Sequence, residues 1–371
     1  MNRQNSSYNL FELANDAESV RMILDTANAK YNNSMWRQFT DVLAPRRSKK
    51  FSSIVEETGI VVKASVLGSM DKKPLRSTEG AKSFDYSMPK IGHGFKVDQS
   101  DINYTEELNL VNTDMGFEMT KTYLNRATQI VGGFHASWNS WVFEALSDQQ
   151  ITLDNLGGKK QVVDLNVPSK LKLKAMGSKP WFDPSGEGYD IIKDLIRMNK
   201  YADDNTNMPS ARVFVCSKDL YDKILSDPKV MNMVAAFRGL DAGVFIPEGL
   251  VLETLTRAYG IPQIVPIDEK SRIEIDGIAT DAPDSFNKAK ITLIPLSKLF
   301  DMHNSLSDYS KDQNPATVKS FTEGGLIGSL TSYGSEPIEV VTNMESWSFV
   351  TFKNPLNVVS LDSSVNSASG K

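Results

Sequence analysis

The side chains that could support catalysis or metal binding are few and scattered along the sequence. The three histidines, His93, His135 and His303, fall in different predicted elements, and none has a second ligand at metal-binding spacing. The sequence also lacks a phosphate-binding loop, a dinucleotide-binding glycine pattern after a strand, and a nucleophile elbow. We therefore predict no catalytic residue, no metal and no cofactor, and we expect that the chain is not an enzyme.

Two acidic stretches invite the hypothesis of a calcium site. They lie between Asp183 and Asp190 and between Asp203 and Asn207. Neither has the ligand spacing or the terminal bidentate glutamate of an EF-hand loop. We interpret both stretches as polar turns.

The only cysteine, Cys216, follows the apolar run at residues 213–215. A thiol in this position is typical of a buried strand, where it acts as a small apolar side chain. A single cysteine excludes an intrachain disulfide and a site that needs several cysteine ligands.

Length and composition are those of a folded protein with room for two or three lobes. The chain has 371 residues, of which 40% are hydrophobic and 23% charged, with a formal net charge of -5. The negative charge argues against a general nucleic-acid binder. It fits a protein that lies near DNA without binding its phosphates tightly. No stretch approaches the roughly 18 apolar residues of a membrane span. The polar N-terminus has no apolar signal core, so we expect a protein made and used in a cytoplasm.

The first 55 residues are predicted to form an N-terminal arm. Two apolar faces are followed by a basic run at residues 45–50, which contains Arg46 and Arg47. That run fits either a solvated linker or a contact with an acidic neighbour. The apolar positions recur at roughly helical spacing at Leu10, Phe11, Leu13, Val20, Ile23, Leu24 and Ala27, and then at Trp36, Phe39, Val42 and Leu43.

A long hairpin is predicted next, from residue 56 to residue 102. An apolar strand at residues 59–67 is followed by a polar tip at residues 68–80, and the chain then returns in extended form. The tip carries Lys72, Lys73 and Arg76 and is too polar to pack into its own core. Such a hairpin exposes a strand edge, which a partner subunit could cover.

A long helix is predicted after the hairpin. The pattern fits one helix, or two helices that meet at Gly132 and Gly133, and about forty residues of helix would reach on the order of 60 Å. Its apolar positions are spaced by threes and fours at Leu108, Val111, Met115, Met119, Tyr123, Ala127, Ile130, Phe134, Trp138, Val142 and Ala145.

The rest of the chain alternates between strands and helices and ends in strands. Residues 151–175 are strand-like, and residues 179–300 are predicted to form an α/β lobe. We predict the last ten residues, rich in Ser, Asn and Gly, as a loose tail. The strands expected in the C-terminal third lie at residues 264–267, 273–275, 289–295, 338–341 and 347–350.

The order of these parts resembles the major capsid proteins of tailed bacteriophages, and within them the lambda-type (phage major capsid protein E-like) family. The resemblance runs from about residue 55 to residue 358 and depends on order and spacing, since no single motif is a signature. It implies an α+β chain with the HK97-like fold, first described in the Hong Kong phage. The stretches that carry it are residues 87–91, 95–97, 126–131, 144–146, 150–153, 183–184, 190–192, 213–217, 259–260, 264–268, 291–295, 336–338 and 347–355, with Ile102.

The resemblance implies a division of the chain into five parts. They are an arm at 1–55, an extended β-hairpin (E-loop) at 56–102, a peripheral domain with the spine helix at 103–178, an axial α/β domain at about 179–300, and return strands of the peripheral domain with a C-terminal tail at 301–371.

The resemblance also implies a function in assembly. Subunits of this family form hexamers and pentamers of an icosahedral shell around packaged double-stranded DNA, and their arms and hairpins overlap neighbouring subunits. Expected partners are further copies of the chain, a scaffolding protein, a portal and decoration proteins, with DNA enclosed without sequence-specific binding. We expect the chain in the virion capsid, assembled in the host cytoplasm, without covalent crosslinks. Candidates for intersubunit ion pairs are Arg46, Arg47, Lys72, Lys73 and Arg76.

Other functions stay open at this point. An encapsulin-type compartment would use the same fold to enclose enzyme cargo. A soluble α/β enzyme built on residues 180–300 would need a cleft with converging titratable groups. A small decoration or tail protein is a further alternative. The length of the chain and its long predicted helix argue against it.

Overall fold

The computed structural model describes most of the chain and divides it into two units. The first unit comprises described residues within 1–52, 85–139 and 301–351, and the second comprises those within 53–84, 140–300 and 352–371. The predicted strand at 59–67 and the predicted hairpin tip at 68–80 lie outside the described residues. The structure describes residues 17–56, 81–100, 103, 115–154, 160–241, 244, 246–268, 272–275, 278–281, 285–315, 317–335 and 338–366.

Helices and strands are numbered here in chain order. The helices are α1 (Ala17–Ala29), α2 (Met35–Phe39), α3 (Met115–Asp148), α4 (Ile191–Asn205), α5 (Lys218–Ser226), α6 (Pro228–Arg238) and α7 (Glu248–Tyr259). The strands are β1 (Thr40–Val42), β2 (Lys50–Glu56), β3 (Ala81–Ser87), β4 (Lys90–Val97), β5 (Gln150–Asp154), β6 (Lys160–Asp164), β7 (Lys172–Ala175), β8 (Arg212–Ser217), β9 (Ile264–Ile267), β10 (Arg272–Ile275), β11 (Ile278–Asp281), β12 (Lys290–Pro295), β13 (Phe300–Ser305), β14 (Val318–Thr322), β15 (Ile327–Ser335), β16 (Ile338–Phe352) and β17 (Val359–Asn366).

The first unit is built on a six-stranded sheet in the order β1-β13-β16-β15-β14, with β4 also paired to β16. β16 is one continuous strand, whereas the sequence predicts two, at 338–341 and 347–350. The residues between them include the charged side chain of Glu345. In the structure Glu345 is fully buried, so the strand continues through it.

The N-terminal segment packs against its own chain from residue 17 onward. Helix α1 buries Val20, Leu24 and Ala27 and contacts strand β14, where the Thr322 hydroxyl donates to Asp25 over 2.5 Å. Within residues 17–39, the predicted arm is therefore not an outlying limb in this chain. The helical periodicity of the sequence is explained by this burial.

Helix α3 spans 34 residues, or about 50 Å at 1.5 Å per residue. It runs without a break through Gly132 and Gly133, so the single-helix alternative is the one observed. The reason for the first glycine is a close approach: a Cβ on Gly132 would lie 2.3 Å from the hydroxyl of Tyr31. That hydroxyl donates to the Thr128 carbonyl over 3.2 Å.

The second unit is built on a mixed five-stranded sheet in the order β7-β17-β12-β8-β9. Strand β8 is buried along its whole length, as its apolar run predicts. The helices begin at side-chain caps: Asp190 accepts from the Lys193 amide, Ser217 from the Leu220 amide, and Asp227 from the amides of Lys229 and Val230. These caps fix where α4, α5 and α6 start.

Strand β17 changes two expectations. Residues 362–366 lie in β17, so the predicted loose tail is wrong for them, because β17 pairs with β12 and with β7. The same pairing places residues 359–366 in the sheet of β8 and β12. The expected division instead groups them with the return strands at 301–371.

Among the described strands, three pairs stand as two-stranded ribbons outside these sheets. They are β2 with β3, β5 with β6, and β10 with β11. A two-stranded ribbon is marginally stable alone. The first of them joins the end of the predicted arm, in β2, to the returning side of the predicted hairpin, in β3, and the next strand of that predicted hairpin, β4, pairs with β16 in the sheet of the first unit.

Candidate functional site at the root of the hairpin

The root of the hairpin is the place where β2 and β3 meet the first unit. The Phe51 and Tyr86 rings stack with centroids 5.6 Å apart, and both side chains are buried. The Ser52 hydroxyl donates to Asp85 over 2.6 Å, and the Met88 amide donates to the Lys49 carbonyl over 2.9 Å. Packing and hydrogen bonds therefore join β2 and β3, with the residues next to them, at the root.

A lysine fixes the start of β2 to the sheet of the first unit. The Lys49 ammonium lies 2.8 Å from both carboxylate oxygens of Asp308 and 3.4 Å from the centroid of the Trp347 ring. The hydrogen bond from Lys49 is the main cause that lowers the pKa of Asp308 below its ordinary value. A cation held by a carboxylate and an aromatic face has a defined position, so Lys49 sets where the hairpin begins.

A buried carboxylate organises the other side of the root. Glu345 on β16 accepts from the Ser307 hydroxyl and from the Asp308 amide, each over 2.6 Å. The Lys90 ammonium on β4 lies 2.5 Å from its second oxygen. The Glu345 side chain is 1% exposed, and a buried charge is stable only when it is paired and hydrogen-bonded in this way. We call Lys49, Lys90, Asp308, Glu345 and Trp347 the root cluster.

The root cluster was not predicted from the sequence. Its members are far apart in sequence and carry no motif, because the spacing of paired strands, not local spacing, brings them together. The one local signal is a glutamate inside an otherwise strand-like stretch, at Glu345.

Two of the predicted intersubunit residues are described, and they lie on the surface next to the root. Arg46 and Arg47 are both exposed. The Arg46 backbone forms a parallel bridge with Ser305, and its guanidinium lies 5.7 Å from the Phe51 ring centroid. Among the described residues, no carboxylate forms an ion pair with either arginine.

The other three predicted intersubunit residues, Lys72, Lys73 and Arg76, lie outside the described residues. Whether any of the five contacts a neighbouring subunit stays a prediction.

The second unit exposes large apolar side chains that the sequence analysis did not identify. Phe237, Leu240 and Val244 follow one another at and after the end of α6, and Phe237 is 58% exposed. The helix stops at Gly239, whose φ of 66° is a left-handed C-cap. Exposed apolar side chains this close together are typical of a contact surface.

Metal-binding clusters and membrane-spanning helices are absent from the described part of the chain. There, no group of three or more His, Cys, Asp and Glu side chains is placed to hold a metal ion. No helix with described bounds is long and apolar enough to cross a membrane. Cys216 is a buried free thiol on β8, as the sequence predicts, and burial raises its pKa to about 12.

Comparison with known proteins gives matches in structure only. No protein-family model and no curated protein sequence matches the chain. A phage-related protein from Bordetella bronchiseptica RB50 matches with a TM-score of 0.50 and 13% identity, over 92% of this chain and 97% of that one. A protein assigned as a prophage capsid protein from Escherichia coli CFT073 matches with a TM-score of 0.50 and 12% identity, over 94% of this chain and 98% of that one.

At identities this low, the likeness concerns the fold, and it extends over almost the full length of both chains. The helices and sheets described above agree with an α+β class. The lambda-type subfamily stays a prediction. The chain has the HK97-like capsid fold expected from its sequence.

Proposed function

We propose that this chain is a major capsid protein, which self-assembles into hexamers and pentamers of an icosahedral shell that encloses phage double-stranded DNA. The observation that carries the proposal is the structural match to a prophage capsid protein over 94% of this chain and 98% of that one. The likeness extends over nearly the whole of both chains, and because one fold can carry different functions, the function itself is tested by assembly.

The root cluster supports the proposal, because a shell subunit needs a hairpin that leaves the body at a fixed position. Lys49 and Lys90 hold the two sides of the root through Asp308 and Glu345. The ribbon of β2 and β3 is only two strands wide, so a neighbouring subunit is a natural source of further packing. Repeated heterologous contacts of this kind close a finite shell.

The charge of the chain supports enclosure of DNA without tight binding. The formal net charge is -5, so the surface as a whole repels phosphates. We further propose a role without catalysis, a location in the virion capsid, and assembly with a scaffolding protein, a portal and decoration proteins.

Electron microscopy of the purified full-length chain tests the proposal. We expect closed shells of uniform size, with hexamers and pentamers visible in averaged images, when the chain is expressed alone or with its neighbouring genes. A chain that remains a small oligomer in both expressions would contradict it. Enclosed enzyme cargo in place of DNA in particles from the native source would favour the encapsulin-type alternative.

A further inference from the structure

Two buried histidines attach the N-terminal segment to the rest of the first unit. The first is His135 on α3. Its Nδ1 accepts a hydrogen bond from the Trp36 indole over 3.0 Å, and its Nε2 lies 2.7 Å from the Asn28 side-chain oxygen. The Tyr31 ring stacks on it with centroids 4.9 Å apart. Three side chains of the N-terminal segment thus meet one imidazole.

This arrangement requires a neutral imidazole. An indole N–H can only donate, so Nδ1 of His135 must be the unprotonated nitrogen and Nε2 must carry the proton that it donates to Asn28. A second proton on Nδ1 would face the Trp36 N–H and break that hydrogen bond. Trp36 is fully buried, so its indole would then lack an acceptor, at a cost typical of a buried unpaired donor.

The second histidine is His303 on β13. The Phe51 ring stacks on it with centroids 3.9 Å apart, and its Nε2 lies 2.9 Å from the Thr351 hydroxyl. Its Nδ1 is buried without a hydrogen-bond partner among the described residues. A proton on that nitrogen would therefore be a buried donor with no acceptor.

An arginine faces each of the two imidazoles. Burial first, and then the charge of Arg37, lower the pKa of His135 to about 3. Burial first, and then the charge of Arg46, lower the pKa of His303 to about 4. The Arg37 guanidinium is itself paired with Glu323, over 2.5 Å, and burial raises the pKa of Tyr31, which therefore stays neutral.

We propose that residues 17–51, the N-terminal strap, are released from the first unit by mild acid, through protonation of His135 and His303. Each histidine joins the strap to a different part of the unit, α3 in one case and the sheet in the other. The strap therefore loses these two attachments in the same pH range, while the pairing of β1 with β13 and the packing of α1 on β14 contain no histidine. Released, it exposes the apolar faces of α1 and α2, together with the surface that they cover.

The sign of the effect follows from linkage. A histidine whose pKa is lower when docked binds more protons when released, so docking weakens as the pH falls below the ordinary value of about 6.5. From pH 7 to pH 5 the opening equilibrium of the strap should rise about 25-fold for each histidine, and on the order of 500-fold for both.

The strap also makes charged contacts from Lys49 to Asp308, from Arg37 to Glu323 and from Asp25 to the Thr322 hydroxyl. Lys49 holds Asp308, whose pKa is lowered, and carboxyl groups ordinarily titrate near pH 4. Between pH 7 and pH 5 the histidines are therefore the groups that change charge. The third histidine, His93, is exposed and serves as an internal control.

Hydrogen exchange of the full-length chain, followed by mass spectrometry and corrected for intrinsic exchange rates, tests the proposal. Protection of peptides from residues 17–51 should fall by the stated factor between pH 7 and pH 5 in the wild-type chain and in His93→Gln. In the double variant His135→Gln and His303→Gln it should stay constant, because glutamine can both donate and accept without titrating.

A charge variant gives a second, independent measurement if the double variant does not fold. In Asn28→Asp a carboxylate faces Nε2 of His135, favours the imidazolium and raises its pKa. Acid should then loosen the strap by no more than the 25-fold contributed by His303. Protection that does not fall in the wild-type chain, or that falls equally in the wild-type chain and in either of these variants, would overturn the proposal.

Discussion

Lys90 and Glu345 form a diagonal pair across β4 and β16, with the ammonium 2.5 Å from the buried carboxylate. In the register of the two strands, Lys90 lies opposite Trp347 and Glu345 lies opposite Gly92. Because glycine has no side chain, the position opposite Glu345 is open, and Lys90 can reach along the diagonal into it. The Lys90 side chain thereby connects β4, at the root, to the carboxylate of Glu345 that is buried in the sheet.

The diagonal pair predicts an asymmetry between its two halves. Lys90→Met leaves the buried Glu345 carboxylate without its cation and should lower the free energy of unfolding by about 3 kcal/mol. Glu345→Gln leaves a lysine that is nearly half exposed and can reach water, so the loss should be smaller, about 2 kcal/mol. Urea unfolding of the two variants measures the difference.

Lys311→Met is the matched control for the pair. Lys311 lies 3.4 Å from Asp308 with its side chain 76% exposed, so its removal should cost less than about 0.5 kcal/mol. Equal losses for Lys90→Met and Lys311→Met would show that the buried carboxylate does not depend on its cation.

The contact between Lys49 and Asp308 predicts part of the acid sensitivity of the root. The pKa of Asp308 is lowered, chiefly by Lys49, so its contribution is present above the ordinary carboxyl value and is lost as the pH falls through the lowered pKa. Asp308 is about one-third exposed, so the solvent-screened contribution should be no more than about 1 kcal/mol.

Asp308→Asn should therefore be less stable than the wild-type chain at pH 7 and equally stable near pH 2, as measured by urea unfolding. Asp222→Asn, which removes an exposed i,i+4 partner of Lys218, provides the control and should show little difference at either pH. If the Asp308→Asn deficit persisted unchanged in acid, its origin would not be the ion pair with Lys49.

The sequence predicted elements well where one apolar pattern decides them. β9 has the predicted bounds at residues 264–267, and α5 begins directly after the capping residue Ser217. Cys216 is buried on a strand as expected. In each case the signal is local, because a run of apolar side chains or a capping residue determines the structure of the few residues next to it.

The sequence failed where small polar side chains fill the core. β15 has little apolar content and was not predicted, yet Ser329 and Thr331 are fully buried in it. The Thr331 hydroxyl lies 3.1 Å from the hydroxyl of Thr342 on β16, so a hydrogen bond between two strands satisfies groups that look solvated in the sequence. The root cluster was missed for a different reason, since its members are far apart in sequence and only the pairing of distant strands brings them together.

A loop of the second unit predicts a graded series of glycine substitutions. Gly177 has a φ of 137°, and a Cβ there would lie 2.2 Å from the Gly188 carbonyl oxygen. Gly177→Ala should therefore lower the free energy of unfolding by about 3 kcal/mol, from a strained backbone and a clash that the backbone cannot relieve.

Substitutions at two further glycines give stability changes with which that of Gly177→Ala can be compared. Gly239→Ala, with a φ of 66° and nothing within 4 Å, should cost only about 1 kcal/mol. Gly249→Ala, on helix α7 in open space, should stabilise the chain by about 0.5 kcal/mol. Chemical denaturation ranks the three, and a cost for Gly177→Ala no larger than that for Gly239→Ala would mean that the loop can move away from the added methyl group.

The same loop is anchored by a buried carboxylate. Asp194 accepts from the Trp181 indole over 2.7 Å and from the Met176 amide over 2.9 Å, and Arg197 lies 2.9 Å from it. Asp194→Ala leaves these donors without an acceptor and should cost about 3 kcal/mol. Asp194→Asn keeps one acceptor oxygen and should cost less, with urea unfolding and Trp181 burial as readouts. Equal costs would show that the hydrogen bonds are not what the carboxylate provides.

Arg46 and Arg47 are proposed to act between subunits, so their removal should affect assembly and not folding. In Arg46→Gln with Arg47→Gln, two exposed ion pairs would be lost, each worth up to about 1 kcal/mol, which raises the subunit concentration needed for assembly by up to about thirtyfold. The free energy of unfolding should change by less than about 0.5 kcal/mol, because neither arginine pairs with a described carboxylate.

Light scattering against subunit concentration, at low and high salt, makes the test specific. The difference between variant and wild type should shrink at 1 M salt, where exposed charges are screened within about 3 Å. Lys193→Gln, on an exposed face of α4, is the matched control for loss of positive charge and should assemble normally. An equal defect in Lys193→Gln would assign the effect to net charge, whereas normal assembly of the double arginine variant would remove Arg46 and Arg47 from the contact.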